Sequence, residues 1–154
     1  MSLIADILPP ASVVADMVAD GKRNLLEQIG ALFESSTHLP RAKVIDSLLA
    51  REKLGSTAMG RGIAIPHGRV KGLREAAGAF VRLKTPIPFD APDGQPVKLV
   101  FALLVPEHAN EQHLLILGEL AQLLSDQTAH TKLLRLADAA DIYRLLIHWP
   151  AESV

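Results

Sequence analysis

The spacing of apolar residues predicts a strand and two amphipathic helices in the first third of the chain. Residues 22–36 and 40–51 each place apolar side chains three or four positions apart, which is the period of a helix with one buried face. Pro40 precedes the second pattern, and proline is favoured in the first turn of a helix. Before both patterns, the β-branched run Ser12–Val18 ends at the turn pair Asp20-Gly21 and predicts a short strand. We therefore expect the order strand, helix, helix.

Two longer apolar runs predict the strands of a central sheet. They are Ala76–Leu83 and Val97–Val105, joined by a proline-rich connection with a turn at Asp93-Gly94. Residues 99–105 are apolar without alternation, which indicates a strand buried on both faces, with helices above and below the sheet. Further helical patterns, the first of them capped by Asn110, follow over residues 110–124, 133–136 and 142–147. The fold class is therefore α/β or α+β.

A segment without periodicity lies between these two halves. Residues 53–62 hold three glycines and a Ser-Thr pair, which predicts a loop. The loop leads into Ile65-Pro66-His67-Gly68. Pro66 restricts Ile65 to an extended conformation, and Gly68 permits a positive φ and the close approach of another molecule. We expect His67 on a stiff, open turn, although Pro-His-Gly is also an ordinary turn at a strand end.

Composition narrows the possible partners. Of 154 residues, 49% are hydrophobic and 21% are charged, which suits one domain over residues 1–154. Only 4% are aromatic and the net charge is −1, which excludes a stacking platform and a generally basic surface for nucleic acid. Cysteine is absent, so disulfides and thiolate sites are excluded. No apolar run approaches the ~20 residues of a membrane helix, so we expect a cytoplasmic protein without membrane insertion.

Basic residues gather around His67 although the whole chain is nearly neutral. Residues 51–74 hold six Lys and Arg and one Glu, a local charge of +5. Such a cluster is usually a solvated face, but beside a segment rich in Gly, Ser and Thr it also suits a phosphate group. A histidine with an ordinary pKa near ~6.5 suits nucleophilic or acid–base work at neutral pH. Three other histidines are expected to be structural or exposed: His38, His130 and His148.

His113 is a second candidate. It lies three residues after Asn110, hence in the first turn of a helix, where unpaired N–H groups and the helix dipole favour an anion. Its spacing from Leu117, Leu120 and Leu124 also places it on the inward stripe, so a buried neutral histidine bonded to the backbone is the alternative. With His108 and the neighbouring glutamates it forms no common metal-ligand spacing, and we expect neither a metal nor a cofactor.

The residues around His67 resemble a known family. Arg51–Thr57 (REKLGST) and Gly60–Gly68 (GRGIAIPHG) are similar to the active-site segment of the IIA proteins of the bacterial phosphoenolpyruvate phosphotransferase system, in the fructose and mannitol class. Pro86–Asp90 and Phe101–Pro106 fit the same family, and the similarity spans nearly the whole chain. Among the subfamilies, the nitrogen-regulatory IIA protein is the most similar. The sequence carries no IIB, IIC or carrier domain, which fits a free-standing regulator.

The resemblance implies a three-layer α/β/α sandwich on a mixed central sheet. It also implies that His67 accepts a phosphoryl group from a phosphohistidine on a small HPr-like carrier, and that Arg51 and His113 stabilise the group. Because phosphoryl transfer depends mainly on positioning and on charge at the equatorial oxygens, we add two phosphate-binding candidates from the residues themselves. They are Thr57 and Arg69.

Several functions are compatible with this pattern. The first is a phosphocarrier of a nitrogen-regulatory phosphotransferase system, which regulates targets such as transporters or sensor kinases according to its phosphorylation state. The alternative is a component of sugar uptake that passes the phosphoryl group to a IIB domain. A binding module that phosphorylation only modulates is also open, so the sequence leaves the status of enzyme undecided. A small-anion hydrolase is disfavoured because no Ser or Asp nucleophile stands in a motif.

An apolar rim around His67 is expected, because the carrier has to exclude water during transfer. Met59, Ile65 and Val70 are the nearest apolar residues, and burial of Met59 and Ile65 in the core is the alternative. The basic side chains expected to act on the association rate are Arg61, Arg69 and Lys71.

Overall fold

Helices cover both faces of a six-stranded sheet in the computed structural model of the chain, which describes residues 3–108 and 111–150. The helices are α1 (Leu3–Ile7), α2 (Lys22–Thr37), α3 (Arg41–Leu54), α4 (Gln112–Ser125), α5 (Gln127–Arg135) and α6 (Ala139–His148). The strands are β1 (Val13–Met17), β2 (Ala58–Gly60), β3 (Ile63–Ala64), β4 (His67–Val70), β5 (Ala77–Ile87) and β6 (Val97–Pro106). No helix in the described ranges is long and apolar enough to cross a membrane.

The sheet is mixed, as predicted. Its order is β1-β5-β6-β3-β2, and β4 also pairs with β6. The strand pairs β1–β5, β3–β6 and β4–β6 are parallel, whereas β5–β6 and β2–β3 are antiparallel. β6 is therefore the strand on which the two halves of the sheet meet.

The residues of β6 alternate between two cores. Leu99 and Phe101 pack in the core formed with α1, α4, α5 and α6. Val100 and Ala102 pack in the core formed with α2 and α3. Because both faces are covered, the strand needs no polar side, which explains its unbroken apolar sequence. The predicted doubly buried strand and the three-layer α/β/α sandwich are confirmed.

The first two predicted helices are confirmed, and the second is longer than expected. α3 continues past Arg51 to Leu54, where the N–H of Gly55 bonds to the carbonyl of Glu52 at 3.1 Å. Lys53 therefore belongs to the helix and not to the loop. Residues 51–54 therefore form the last turn of α3. Two of their side chains, Arg51 and Leu54, line the cavity described below.

The last two helices, α5 and α6, begin earlier in the sequence than their apolar patterns indicated. The side chain of Asp126 accepts from the N–H of Ala129 at the start of α5, and Asp138 does the same for Asp141 at the start of α6. Both carboxylates are N-caps, which satisfy orphan N–H groups and offset the helix dipole. The predicted cap of α4, Asn110, lies outside the described residues.

The predicted loop over residues 53–62 is wrong in part, because it contains β2 and the turn into β3. Gly60 and Gly62 stand at φ of 90° and 78° in that turn, a region that favours glycine. The glycines predicted irregular backbone correctly at the turn, but the flanking two- and three-residue strands depend on pairing with each other and with β6. The pairing of β3 with β6 joins residues far apart in sequence, which local periodicity does not register.

His67 begins a strand, which corrects the prediction of an open turn. β3 and β4 lie along the same edge of β6, interrupted at Ile65-Pro66. Pro66 has no N–H, yet its carbonyl accepts from the N–H of Leu103 at 2.9 Å. Gly68 is a buried strand residue, and a Cβ there would lie 2.3 Å from Oγ of Ser47 on α3. Its missing side chain allows the close approach of α3, not of another molecule.

Candidate functional site

One hydrogen bond fixes the imidazole of His67. Its Nδ1 lies 2.9 Å from the carbonyl oxygen of Ile65. A carbonyl oxygen only accepts, so Nδ1 carries the hydrogen in this bond. In the neutral ring, Nε2 therefore holds the lone pair. The half-buried ring thus has one nitrogen tied to its own backbone and the other left to react.

Four of the five predicted site residues line one open cavity of about 530 Å³. The cavity lies between α3, β4 and the start of α4, and we refer to it as the His67 cavity. Its lining includes two guanidinium groups and two imidazoles, from Arg51, His67, Arg69 and His113. No acidic side chain is among the described residues that line it. The fold thus brings basic side chains that are more than sixty positions apart in sequence together in one pocket.

The two arginines reach the cavity from different elements. Arg51 lies in the last turn of α3, where its Nη1 donates to the carbonyl of Gly55 at 2.8 Å. Arg69 follows His67 by two positions on β4, so both side chains leave the same face of that strand. Nη1 of Arg69 lies 3.5 Å from the carbonyl oxygen of Glu107. Each guanidinium has further N–H groups with which to bind phosphate oxygens.

His113 lies in the first turn of α4, as predicted. The positive end of the helix dipole lies there, which favours a phosphate group over a cation. The side chain is half-buried at the wall of the His67 cavity and also lines a second cavity of about 510 Å³. The prediction that His113 faces inward is thus correct only in part, because it lies at a boundary between two open spaces.

Thr57 lies apart from the other predicted site residues. It is buried, and its hydroxyl donates to a carboxylate oxygen of Glu52. It is not among the described residues that line the His67 cavity. The hydroxyl of Thr57 therefore bonds to Glu52 and does not face the His67 cavity.

The basic cluster of the sequence is divided between different surfaces. The guanidinium of Arg61 bonds to the carbonyl of Ser125 at 3.2 Å and to Oε1 of Gln127 at 2.8 Å, at the junction of α4 and α5. Its backbone N–H donates to Asp93 at 2.8 Å. This bond, followed by one from the N–H of Gln95, holds the pKa of Asp93 below its usual value. Arg61 thus supports the fold and does not face His67.

Exposed leucines border the His67 cavity, and the sequence did not identify them as its rim. Leu54 is 84% exposed at the end of α3, and Leu114 is 59% exposed in the first turn of α4. Both line the cavity, together with the half-buried Leu117. We call Leu54, Leu114 and Leu117 the leucine rim. The available signal was an apolar residue out of phase with the buried stripe, because the core side of α4 is made by Ile116, Leu120, Leu123 and Leu124.

The predicted rim of Met59, Ile65 and Val70 is wrong. Ile65 and Val70 are core residues, on opposite faces of the sheet. Met59 is 41% exposed but is not among the described residues that line the cavity. Both residues of β3 are buried, and along β4 only His67 and Arg69 are not, so the apolar residues nearest to His67 in sequence lie mostly in a core.

The remaining described histidines have structural contacts or lie outside the His67 cavity. His38 ends α2 in the left-handed conformation at φ 64°. Nε2 of His130 lies 3.1 Å from the carbonyl of Arg61, and Nδ1 of His148 lies 2.8 Å from that of Arg144. His108 lines the second cavity. Within residues 3–108 and 111–150, no group of three or more His, Asp or Glu side chains is arranged to hold a metal ion.

Comparison with known proteins identifies the family. The model of the phosphoenolpyruvate-dependent sugar phosphotransferase system, EIIA 2, matches residues 6–149. The chain belongs to this family. As an EIIA 2 protein it is 42% identical, over 150 residues, to a nitrogen regulatory protein of Bradyrhizobium diazoefficiens, with 97% of this chain and 98% of the relative covered. It is 38% identical to a nitrogen regulatory protein of Pseudomonas aeruginosa, with 96% of each chain covered.

Solved structures agree with the EIIA 2 assignment. The nitrogen regulatory protein IIA-Ntr of Neisseria meningitidis superposes with a TM-score of 0.89 at 46% identity, covering 94% of this chain and 99% of that one. The mannitol enzyme IIA of Escherichia coli, solved in complex with phosphorylated mannitol enzyme IIB, superposes with a TM-score of 0.74 at 20% identity, covering 88% of this chain and 94% of that one. The second likeness shows the shared fold alone.

Proposed function

We propose that this EIIA 2 protein is a phosphocarrier of a nitrogen-regulatory phosphotransferase system, which accepts a phosphoryl group on Nε2 of His67. The observation that carries the proposal is the bond from Nδ1 of His67 to the carbonyl of Ile65, in a cavity lined by Arg51, Arg69 and His113. It supplies a nucleophile of defined tautomer among groups that bind phosphate oxygens. The nitrogen regulatory relatives, matched over 96% or more of this chain, support the regulatory assignment.

The transfer needs no group beyond the two proteins. The lone pair on Nε2 of His67 attacks the phosphorus of a phosphohistidine on the donor, and a new N–P bond forms. The N–P bond of the donor breaks, and its electron pair returns to the donor imidazole. Nδ1 of His67 keeps its hydrogen on the carbonyl of Ile65 throughout. The positive charge that attack creates on the His67 ring is thereby stabilised by a carbonyl dipole.

Two guanidinium groups and the start of α4 offset the negative charge of the phosphoryl group during transfer. In the loose transition state of phosphoryl transfer, negative charge resides on the three equatorial oxygens. Arg51 and Arg69 supply guanidinium N–H groups, and His113 lies at the positive end of α4. The leucine rim removes water when a partner covers it, which strengthens each of these contacts. Thr57 has no direct place in this scheme, because its hydroxyl is bonded to Glu52.

The donor in this proposal is an HPr-like carrier in the cytoplasm, and the acceptors of the regulatory output are proteins such as transporters or sensor kinases. The phosphorylated form differs from the free form by about two negative charges, which is enough to change the affinity of a partner that covers His67. Transfer to a IIB domain during sugar uptake is the second candidate. It is supported by the PTS system fructose-specific EIIABC component of Bacillus subtilis, which is 31% identical over 132 residues, with 85% of this chain and 21% of the relative covered.

Phosphoryl transfer from phosphoenolpyruvate through enzyme I and an HPr-like carrier tests the proposal directly. We expect acid-labile phosphate on the wild-type chain, none on His67→Gln, and wild-type labelling of His130→Gln, whose histidine is also bonded to a carbonyl. Phosphorus NMR should assign the phosphate to Nε2. Near wild-type labelling of His67→Gln would overturn the assignment. Onward transfer of the label to a fructose or mannitol IIB domain would favour the sugar-uptake alternative.

A further inference from the structure

A buried carboxylate lies next to Arg51 and behind the His67 cavity. The side chain of Glu52 is 4% exposed. Its two oxygens accept from the backbone N–H of Thr57, each at 3.3 Å, and Oε1 also accepts from the Thr57 hydroxyl. Nζ of Lys22 bonds to Oε2 at 3.0 Å. We call the bonds between Glu52 and Thr57 the Glu52–Thr57 clasp.

The clasp holds a segment that is hydrogen-bonded to Arg51 directly and to His67 through Ile65. The carbonyl of Gly55 accepts from Arg51 at 2.8 Å. The carbonyl of Thr57 accepts from the N–H of Ile65 at 3.1 Å, and the carbonyl of Ile65 in turn accepts from Nδ1 of His67 at 2.9 Å. Two short hydrogen-bond paths therefore run from residues 55–57, one to the guanidinium of Arg51 and one to the imidazole of His67.

The outer side of the clasp is closed by Lys22. Its ammonium lies 4.4 Å from the centre of the Phe89 ring, and it pairs with Asp90 at 3.3 Å. Asp90 is 87% exposed, so the second ion pair is a surface contact, whereas the first joins the half-buried Lys22 to the buried Glu52. An ion pair at such a site contributes little net stability, because desolvation offsets the Coulomb attraction. Its more useful effect here is to orient the carboxylate of Glu52 as an acceptor.

We propose that Glu52 and Thr57 are positioning residues for phosphoryl transfer, which act through residues 55–57 on Arg51 and through Ile65 on His67. Neither residue touches the phosphoryl group. The inference rests on the proposed function of His67 and gives Thr57 a role other than phosphate binding. It applies to one step, the alignment of the Nε2 lone pair and the Arg51 guanidinium before the donor arrives. Small errors in such alignment are costly, since a displacement of ~1 Å reduces a rate by about 100-fold.

Four variants separate positioning from general stability. Thr57→Val removes the hydroxyl at nearly constant volume, Thr57→Ser keeps it, and Glu52→Gln removes the charge. Asp90→Asn is the matched control, because it removes the exposed partner of the same Lys22 and leaves the clasp intact. Each variant is assayed for the single-turnover rate of phosphoryl transfer from the phosphorylated carrier and for the dissociation constant of the carrier. Nitrogen NMR of the His67 ring reports the tautomer.

Thr57→Val and Glu52→Gln should transfer between about 10-fold and 100-fold more slowly at unchanged carrier affinity, with Nδ1 of His67 no longer uniformly protonated. Thr57→Ser and Asp90→Asn should match the wild type in rate and tautomer. Wild-type rates in Thr57→Val and Glu52→Gln overturn the inference, and so does a rate loss explained by the unfolded fraction or by weaker carrier binding. A wild-type chain that takes no phosphate would instead overturn the proposed function, while the tautomer measurement still tests the clasp.

Discussion

A single backbone carbonyl decides which nitrogen of His67 carries the hydrogen and which holds the lone pair. The sequence identifies the histidine by its Pro66 and Gly68 neighbours, but the tautomer depends on where the carbonyl of Ile65 points. That direction is set by the interruption of the edge strand at Ile65-Pro66, between two stretches that pair with β6. The chemistry of one side chain is therefore fixed by the pairing of its neighbours.

Removing either of the two proposed supporting side chains should slow transfer without unfolding the chain. Arg51→Ala and His113→Ala each delete one preorganised group at the His67 cavity, and the loss of one such group costs about 100-fold in rate. Arg51→Lys should fall between Ala and wild type, since an ammonium keeps the charge but lacks the planar fork with which a guanidinium can bond to Gly55 and to a phosphate in two fixed directions. Rapid-quench transfer assays measure the rates, and circular dichroism monitors the fold. Unchanged rates in both Ala variants would contradict the supporting role.

At the residue scale, the sequence predicts which side chains can take part in the chemistry better than it predicts where those side chains lie. Arg51, His67 and His113 follow from motif and spacing, and Arg69 follows from its place in the basic cluster, although the strand that carries it to the His67 cavity was not predicted. Thr57 illustrates the limit. A threonine beside glycines suits phosphate binding, but the direction of its hydroxyl depends on Glu52, which becomes an acceptor only because α3 continues to Leu54.

At the element scale, the site depends on how closely α3 packs against β4. Gly68 makes this approach possible, since a Cβ would lie 2.3 Å from Oγ of Ser47 and 3.2 Å from its carbonyl carbon. The hydroxyl of Ser47 is itself bonded to the carbonyl of Arg69 at 2.8 Å. A larger residue at 68 would therefore push α3, which carries Arg51, away from the strand that carries His67.

Two glycine substitutions test this contact. Gly68→Ala should destabilise the fold by about 1–3 kcal/mol through overpacking and should slow phosphoryl transfer as well. Gly118→Ala is the matched control, because no atom lies within 4 Å of a Cβ built there on α4, and alanine is the better helix former by about 1 kcal/mol. Urea unfolding and the single-turnover rate are measured for both. Equal stability and equal rates in the two variants would show that the α3–β4 spacing is unimportant.

Long elements with one clear period were predictable, and short paired ones were not. α2, β5 and β6 follow directly from their apolar patterns. β2, β3 and β4 have four residues or fewer, and two of them exist because β6 offers an edge. In α4 the helical period was predicted correctly, but the buried face was not. Leucine residues lie both on the buried stripe and on the leucine rim. The residue type alone does not indicate whether an apolar side chain packs in the core or lies on an exposed apolar surface.

At the scale of the whole molecule, apolar and cationic groups are combined around one cavity. Leu54 and Leu114 are exposed beside Arg51 and Arg69, so a partner would contact an apolar rim around a charged centre. That arrangement suits a transient protein contact, in which a few apolar anchors supply affinity and the charges guide approach.

A charge placed on the rim should therefore weaken carrier binding. Leu114→Asp should raise the dissociation constant of the carrier about tenfold, which is ~1.4 kcal/mol, and leave the melting temperature unchanged because the side chain is already exposed. Met59→Asp is the matched control, as an exposed apolar residue away from the cavity, and should bind like the wild type. Titration by NMR measures both. Weaker binding by Met59→Asp, or wild-type binding by Leu114→Asp, would place the contact surface elsewhere.

The strand that carries His67 has little freedom to move. It pairs with Leu103–Pro106 of β6, and α3 packs against it through Ser47. If His67 carries the phosphoryl group as proposed, we expect both phosphorylation states to share one backbone shape and to differ in electrostatic potential. Such a potential is screened within about 8 Å at physiological ionic strength. A target protein that distinguishes the two states would therefore have to lie close to His67, and the proposed signal would be a charge displayed on a fixed surface.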